Sequence, residues 1–188
     1  MRNLLKILFT LIIFFIILNV RSYSEVVNKV EVKGNERISA ETISVFGDIE
    51  PGKNYEASDI NLLIKKLYET NFFSNISINL QNGILNIEVE ENPIINNIAF
   101  KGEATKKNKE SINKLITLRE KTSFINSYIK SDINIIKEFY RNSGFYFVKI
   151  DAEIEKLDKN RLNLIYTIDK GEKAKISRIY FLGEKKIR

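Results

Sequence analysis

Ser58-Asp59-Ile60-Asn61 recurs verbatim as Ser131-Asp132-Ile133-Asn134, an offset of 73 residues. Carried forward, the offset aligns Leu63 with Ile136, Leu67 with Tyr140, Asn71 with Gly144 and Phe73 with Tyr146. Each copy reads as an amphipathic helix. Ile60, Leu63, Ile64 and Leu67 form one apolar stripe, and Ile133, Ile136 and Tyr140 form the other, at the spacing of a single helix face. Ser58 or Asp59 is the expected cap for the free N–H groups of the first turn. Asn71 and Gly144 stand where such a helix needs a left-handed terminator, a state both residue types tolerate.

Outward from these helices the repeat continues. Val30-Glu31-Val32-Lys33-Gly34 is echoed by Ile98-Ala99-Phe100-Lys101-Gly102 and by Ile179-Tyr180-Phe181-Leu182-Gly183. Two apolar residues spaced by two, closed by glycine, predict a half-buried strand with a sharp exit. Downstream, Ile76, Ile78 and Leu80 alternate, Asn82-Gly83 is a hairpin signal, and Leu85, Ile87 and Val89 alternate back. The matching hairpin runs from Val148 or Ile150 to Ile154 and returns through Leu162, Leu164, Tyr166 and Ile168. A shorter helix, Ala40–Phe46 or Lys109–Leu118, is expected between the first strand and the repeated helix. In the first copy it ends in a Pro51-Gly52 turn. The predicted unit is therefore βααββ, an α+β fold. Unit one spans 26–92, with Pro93 at the boundary, and unit two spans 93–172. Residues 175–188 are read as the first strand of a third, truncated unit, because a lone strand has nothing to cover its apolar face.

The N-terminus reads differently. Arg2 and Lys6 precede an apolar run, Ile7–Leu18, broken only by Thr10, and Ser22-Tyr23-Ser24 offers a cleavage site ahead of Glu25. That is the pattern of a secretory signal peptide over residues 1–24, with an uncleaved anchor as the alternative. Twelve apolar residues are short for a spanning helix, which needs roughly 20. Removing the leader takes Arg2, Lys6 and Arg21 from the 30 basic residues and none from the 24 acidic ones. The net charge falls from +6 to +3 (27 against 24). A nucleic-acid footprint is not supported. With no cysteine and no histidine in the chain, disulfides, thiol chemistry, the usual catalytic triads and most transition-metal sites drop out. An enzyme running on paired carboxylates or lysine is the rival class, but neither helix shows a paired-carboxylate face pointing inward, and no enzyme, cofactor or metal is expected.

The ordered set of markers resembles the polypeptide-transport-associated (POTRA) domains over nearly all of residues 26–188. They are Val32-Lys33-Gly34-Asn35, Leu67-Tyr68-Glu69-Thr70-Asn71-Phe72-Phe73, and Val89-Glu90-Glu91-Asn92-Pro93 leading into Ile98-Ala99-Phe100-Lys101-Gly102. Family members often carry Gly where Asn71 stands. The resemblance implies tandem modules, each with a three-stranded mixed sheet covered by two helices on one face. It also implies an exported, periplasmic role at the outer membrane of a Gram-negative bacterium. The partners it implies are unfolded outer-membrane β-barrel proteins, periplasmic chaperones and accessory lipoproteins of an assembly complex. Membrane contact would run only through a C-terminal barrel outside this chain. Two-partner secretion transporters, related translocation proteins and division proteins use the same fold and remain as alternatives, although division proteins generally carry a single module.

The implied mechanism is strand addition. A sheet edge presents unpaired N–H and C=O groups to an extended peptide, and backbone pairing is largely blind to side-chain identity. By resemblance, the second strand of each unit is the exposed edge: Asn75, Ile76, Ser77, Ile78, Asn79 and Leu80 in unit one, and Lys149, Ile150, Asp151 and Ala152, on to Ile154, in unit two. The first edge has no charge on Ser77 and Asn79, whereas the second carries Lys149, Asp151, Glu153 and Glu155. The first edge is therefore the expected site of client pairing, with proline at Ile78 or Asn79 expected to abolish it. Three other groups read as structural. Phe139, Tyr140, Phe145, Tyr146 and Phe147 are expected in the core at a helix–strand corner. Glu88, Glu90 and Glu91 sit close together, and alternation puts Glu88 and Glu90 on the strand face away from Val89, so they are read as a solvated face and not as a general-acid or cation site. Lys106-Lys107-Asn108-Lys109 is read as a solvated helix start, slightly unfavourable against the helix dipole.

Overall fold

The computed structural model describes residues 24–180; the expected leader, apart from Ser24, lies outside the described residues, as do residues 181–188. The chain divides into two compact units between Glu91 and Asn92.

In the first unit, β1 (Glu25–Val26) and β2 (Lys29–Lys33) precede α1 (Ala40–Gly47), β3 (Asn54–Tyr55), α2 (Ala57–Glu69), β4 (Phe73–Gln81) and β5 (Ile84–Glu91). The second unit holds β6 (Ile94–Lys101), α3 (Lys106–Leu115), α4 (Tyr128–Asn142), β7 (Lys149–Leu157) and β8 (Arg161–Asp169). Each main sheet has three strands in the orders β2-β5-β4 and β6-β8-β7. The last strand is central in each, parallel to the first and antiparallel to the second.

The alternating residues build one face of each sheet. Leu85, Ile87 and Val89 of β5 and Ile76 of β4 are buried with Leu63 and Leu67 of α2 and Ile43 of α1. In the second unit Leu162, Leu164, Tyr166 and Ile168 meet Ile136 and Tyr140 of α4 and Ile112 of α3. The Phe100 and Tyr166 rings stack at 5.8 Å across the β6–β8 pair. Asn71 (φ 60°) and Gly144 (φ 89°) take the left-handed conformation after their helices. The hairpin turn at Asn82-Gly83 has φ 52° and 75°, the double left-handed turn that suits strand twist. Gly34 and Gly102 close the first strands at φ 78° and 83°. A Cβ at either would lie 2.1 Å from the carbonyl oxygen of Val89 or Ile168 on the central strand.

Several expectations are corrected. Helix α2 is capped by Glu56, not by Ser58 or Asp59; the Asp59 carboxylate instead reaches back to accept the Glu56 N–H at 2.9 Å. Helix α4 starts at Tyr128, three residues before Ser131, and Asp132 lies within it, wholly buried. Helix α3 spans Lys106–Leu115 in place of 109–118. Its end comes early because Thr117 and Leu118 give their N–H groups to Asp132. The aromatic cluster is only partly core: Tyr140 is buried and Phe139 and Phe145 pack against the core, but Tyr146 and Phe147 are 59% and 79% exposed. The reason is a longer connection in the second unit. Ile76 opposes Val89 and Ile150 opposes Ile168, so past the helix the offset grows from 73 to 74, and the residue falling in the core before β7 is Val148. The short β1–β3 pair and the Ile94–Ser123 bridge had no sequence signal. Residues 171–180 carry no helix or strand, which includes 175–180 of the strand read over 175–188.

Candidate strand-addition edges

Asn75, Ile76, Ser77, Ile78, Asn79 and Leu80 all lie in β4, and Lys149, Ile150, Asp151 and Ala152 all lie in β7. Each strand stands at one edge of its sheet. The opposite edges, beginning near β2 and β6, are partly occupied. In the first unit Val27 gives its N–H to the Lys53 carbonyl at 3.0 Å and accepts from Gly52 at 2.7 Å, extending the β1–β3 pairing. In the second unit Ile95 donates to Thr122 O at 3.0 Å and accepts from Lys121 at 2.7 Å, and Phe124 donates to Pro93 O at 2.7 Å. The Glu120 carboxylate then accepts the Ile98 N–H at 3.0 Å. The loop between the two helices therefore pairs with the segment just ahead of β2 in the first unit and with the start of β6 in the second, and β4 and β7 are left as the longer edges.

The parity of β4 can be read from one contact. Ile76 donates its N–H to the Tyr68 hydroxyl at 3.1 Å, so that N–H points away from β5. In an antiparallel ladder, hydrogen-bonded and non-bonded pairs alternate. Ile78 and Leu80 consequently turn their N–H and C=O groups outward, while Ser77, Asn79 and Gln81 bond to β5. Proline at Ile78 and proline at Asn79 are thus not equivalent: the first removes an outward donor, the second a ladder bond. Ser77 and Asn79 are exposed on the outer face, as their alternation with the buried Ile76 requires.

On β7 the charges lie across the outer face of the sheet. Glu155 accepts from Asn163 Nδ2 of β8 at 2.8 Å, and Glu153 lies 3.9 Å from Lys101 Nζ of β6. Lys149 and Asp151 are exposed beside the buried Ile150 and the half-buried Ala152.

Buried carboxylates are what sequence reasoning missed. Glu91 is not on the solvated face with Glu88 and Glu90. It is 5% exposed, and its Oε1 accepts the N–H groups of Glu36, Arg37 and Ile38 at 2.9–3.0 Å, while Oε2 lies 3.3 Å from the Arg37 guanidinium. The signal was available, since Glu91 continues the inward parity of Leu85, Ile87 and Val89. Asp132 Oδ1 accepts from Thr117 N at 2.6 Å, and Oδ2 accepts from Leu118 N at 3.0 Å and the Tyr166 hydroxyl at 3.2 Å. Burial first, and then the Asp132 charge, push the Tyr166 phenol well above its ordinary range. Glu103 accepts from Thr105 N at 2.8 Å, Asn108 Nδ2 at 3.0 Å and the Tyr140 hydroxyl at 2.5 Å, and pairs with Lys170 Nζ at 2.9 Å. Burial opposes its charge, but these donors, led by Tyr140 and Lys170, outweigh burial and hold the carboxyl well below the carboxylate range. Placed just ahead of α3, this anion also offsets the lysines of its first turn against the dipole. Every oxygen of Glu103 and Asp132 is engaged in tying loop to helix and strand. Among the described residues no group of three or more acidic residues is placed to hold a metal ion. Among them, too, no helix is long and apolar enough to cross a membrane.

Two βααββ units, each with one long unpaired strand edge, define a tandem edge-presenting module. The family model described as "POTRA: Surface antigen variable number repeat" matches residues 25–92 and again 93–171. The chain belongs to the POTRA family. It is 26% identical over 161 residues to the outer membrane protein assembly factor BamA of Neorickettsia risticii, covering 86% of this chain and 22% of that protein. To the protein of the same name from Neisseria meningitidis serogroup B it is 29% identical over 163 residues, covering 84% of this chain and 20% of the relative. The chain thus spans about a fifth of the length of these relatives. Its fold matches the N-terminal domain of Omp85 from the thermophilic cyanobacterium Thermosynechococcus elongatus with a TM-score of 0.54 at 13% identity, covering 80% of this chain and 65% of that one.

Proposed function

We propose that these two modules receive unfolded outer-membrane β-barrel proteins in the periplasm, pairing with them along the outer edge of β4, and serve as a scaffold for the assembly machinery. The observation that carries this reading is the unpaired edge itself. Ile78 and Leu80 turn N–H and C=O outward, and no charge stands on the outward-facing Ser77 and Asn79 beside them. A barrel client is a run of alternating apolar and polar residues with its own backbone unsatisfied until it folds, so main-chain pairing serves many clients without reading their sequence. The likeness to two outer-membrane assembly factors supports the same role. In this reading the chain is exported, carries out no catalysis, binds no cofactor or nucleic acid, and meets the membrane only through a barrel outside this sequence. Accessory lipoproteins and periplasmic chaperones dock on the same scaffold. The edge of β7, with Lys149, Ile150, Asp151 and Ala152, is the secondary client edge, weakened by its charges.

The test is Ile78→Pro. It removes one outward N–H while leaving the β4–β5 ladder, so the fold persists by circular dichroism and binding of a ten-residue barrel-strand peptide falls at least tenfold. Asn79→Pro breaks a ladder bond and serves as the destabilised control. A folded Ile78→Pro protein that binds the peptide as tightly as the parent would overturn strand addition at β4.

A further inference from the structure

The β4 edge is not open along its whole length. Tyr68 lies in the last turn of α2, and its hydroxyl accepts the Ile76 N–H at 3.1 Å while its side chain stays 41% exposed. It therefore stands at the surface beside the start of the edge. Of the three outward-facing residues Ile76, Ile78 and Leu80, one donor is already taken, and the two free donors lie toward the Asn82-Gly83 turn. The second unit differs at this place. The residue 73 positions on is Arg141, whose guanidinium bonds Glu138 at 2.8 Å.

We infer that Tyr68 is the register stop of the β4 edge: its hydroxyl occupies the Ile76 N–H, so an incoming strand pairs with Ile78 and Leu80 and ends there. The inference rests on strand addition at β4 and adds to it a fixed alignment of the client. A sliding strand would meet equivalent backbone groups at every second residue, and register on a uniform edge is weakly specified. A side chain that fills one outward donor breaks that equivalence. The client is then held at the hairpin end of β4, with its own chain turning away at the helix end.

Amide hydrogen exchange on the full chain tests this, with and without a synthetic ten-residue peptide of alternating valine and threonine. In the parent protein the Ile76 amide is protected before peptide is added, and peptide adds protection at Ile78 and Leu80. In Tyr68→Phe, which keeps the ring and its packing, the Ile76 amide exchanges faster in the free protein and becomes protected when peptide binds. Affinity rises about fivefold, the worth of one backbone hydrogen bond. Tyr68→Ala gives the same pattern with the ring removed. If Ile78 and Leu80 become protected but Ile76 still exchanges freely in both peptide-bound variants, Tyr68 does not set the register and the inference fails alone. If peptide protects neither Ile78 nor Leu80 in the folded parent protein, strand addition at β4 fails and the inference falls with it.

Discussion

The two aspartates of the repeated Ser-Asp-Ile-Asn show how far one residue's meaning depends on its surroundings. Asp59 lies at the surface and accepts a single N–H, from Glu56, a capping contact worth about 1 kcal/mol. Asp132 is wholly buried and satisfies two backbone N–H groups and a phenol. Asp59→Ala is expected to cost about 1 kcal/mol in urea titration, and Asp132→Ala about 3 kcal/mol or more, because the buried Leu118 N–H and Tyr166 hydroxyl and the half-buried Thr117 N–H all lose their acceptor. Equal costs at the two positions would refute this account. Glu103 adds a pH dependence. Its ordinary value is 4.5 and its folded value is depressed, so the unfolded chain takes up the proton first. The stabilisation is complete above that ordinary value and is lost progressively as pH falls below it. Unfolding of the second unit measured between pH 7 and pH 3 therefore shows stability declining below about pH 4.5, and Glu103→Gln flattens that decline while lowering stability at pH 7. An unchanged slope in the variant would remove Glu103 from the account.

At the scale of elements, the glycine that closes each first strand is the most constrained point. Gly34 and Gly102 combine a left-handed φ with a backbone that leaves no room for a Cβ against Val89 or Ile168. Gly34→Ala and Gly102→Ala are each expected to cost about 3 kcal/mol, read as a lower urea midpoint for the affected unit. Gly52→Ala is the informative contrast, since it shares the positive φ but has nothing within 4 Å of the added Cβ. A Gly52 penalty as large as that at Gly34 would show that φ alone, and not close approach to the central strand, sets the cost. The edges follow from the same architecture. The central strand of each sheet is paired on both sides, and the helix-connecting loop lies against the segment ahead of β2 and against the start of β6, so the second strand is the longer edge of each unit.

For the whole molecule, the charge balance predicts how the proposed strand addition responds to salt. Residues 25–188 carry 27 basic and 24 acidic side chains, and the β4 edge offers backbone groups beside uncharged serine and asparagine. Affinity for an uncharged barrel-strand peptide is therefore expected to change by less than about twofold between low and moderate salt, since screening acts on charge pairs and hardly on backbone hydrogen bonds. A tenfold loss with salt would remove backbone pairing at β4 as the source of the affinity. The βααββ order, the sheet faces, the hairpin turn and the helix terminators were all legible in the sequence, because they depend on period and local backbone preference, which are properties of neighbouring residues. The same local reading named β4 and β7 as candidate edges only with help from a family resemblance. Tertiary structure alone decided which outward N–H groups are open and which are taken by Tyr68 and Glu120. It also decided that Glu91, Glu103 and Asp132 turn inward, and that Tyr146 and Phe147 turn out. Each of these depends on a partner far along the chain, and a carboxylate's place is determined by the donors that surround it after folding, which no local pattern records.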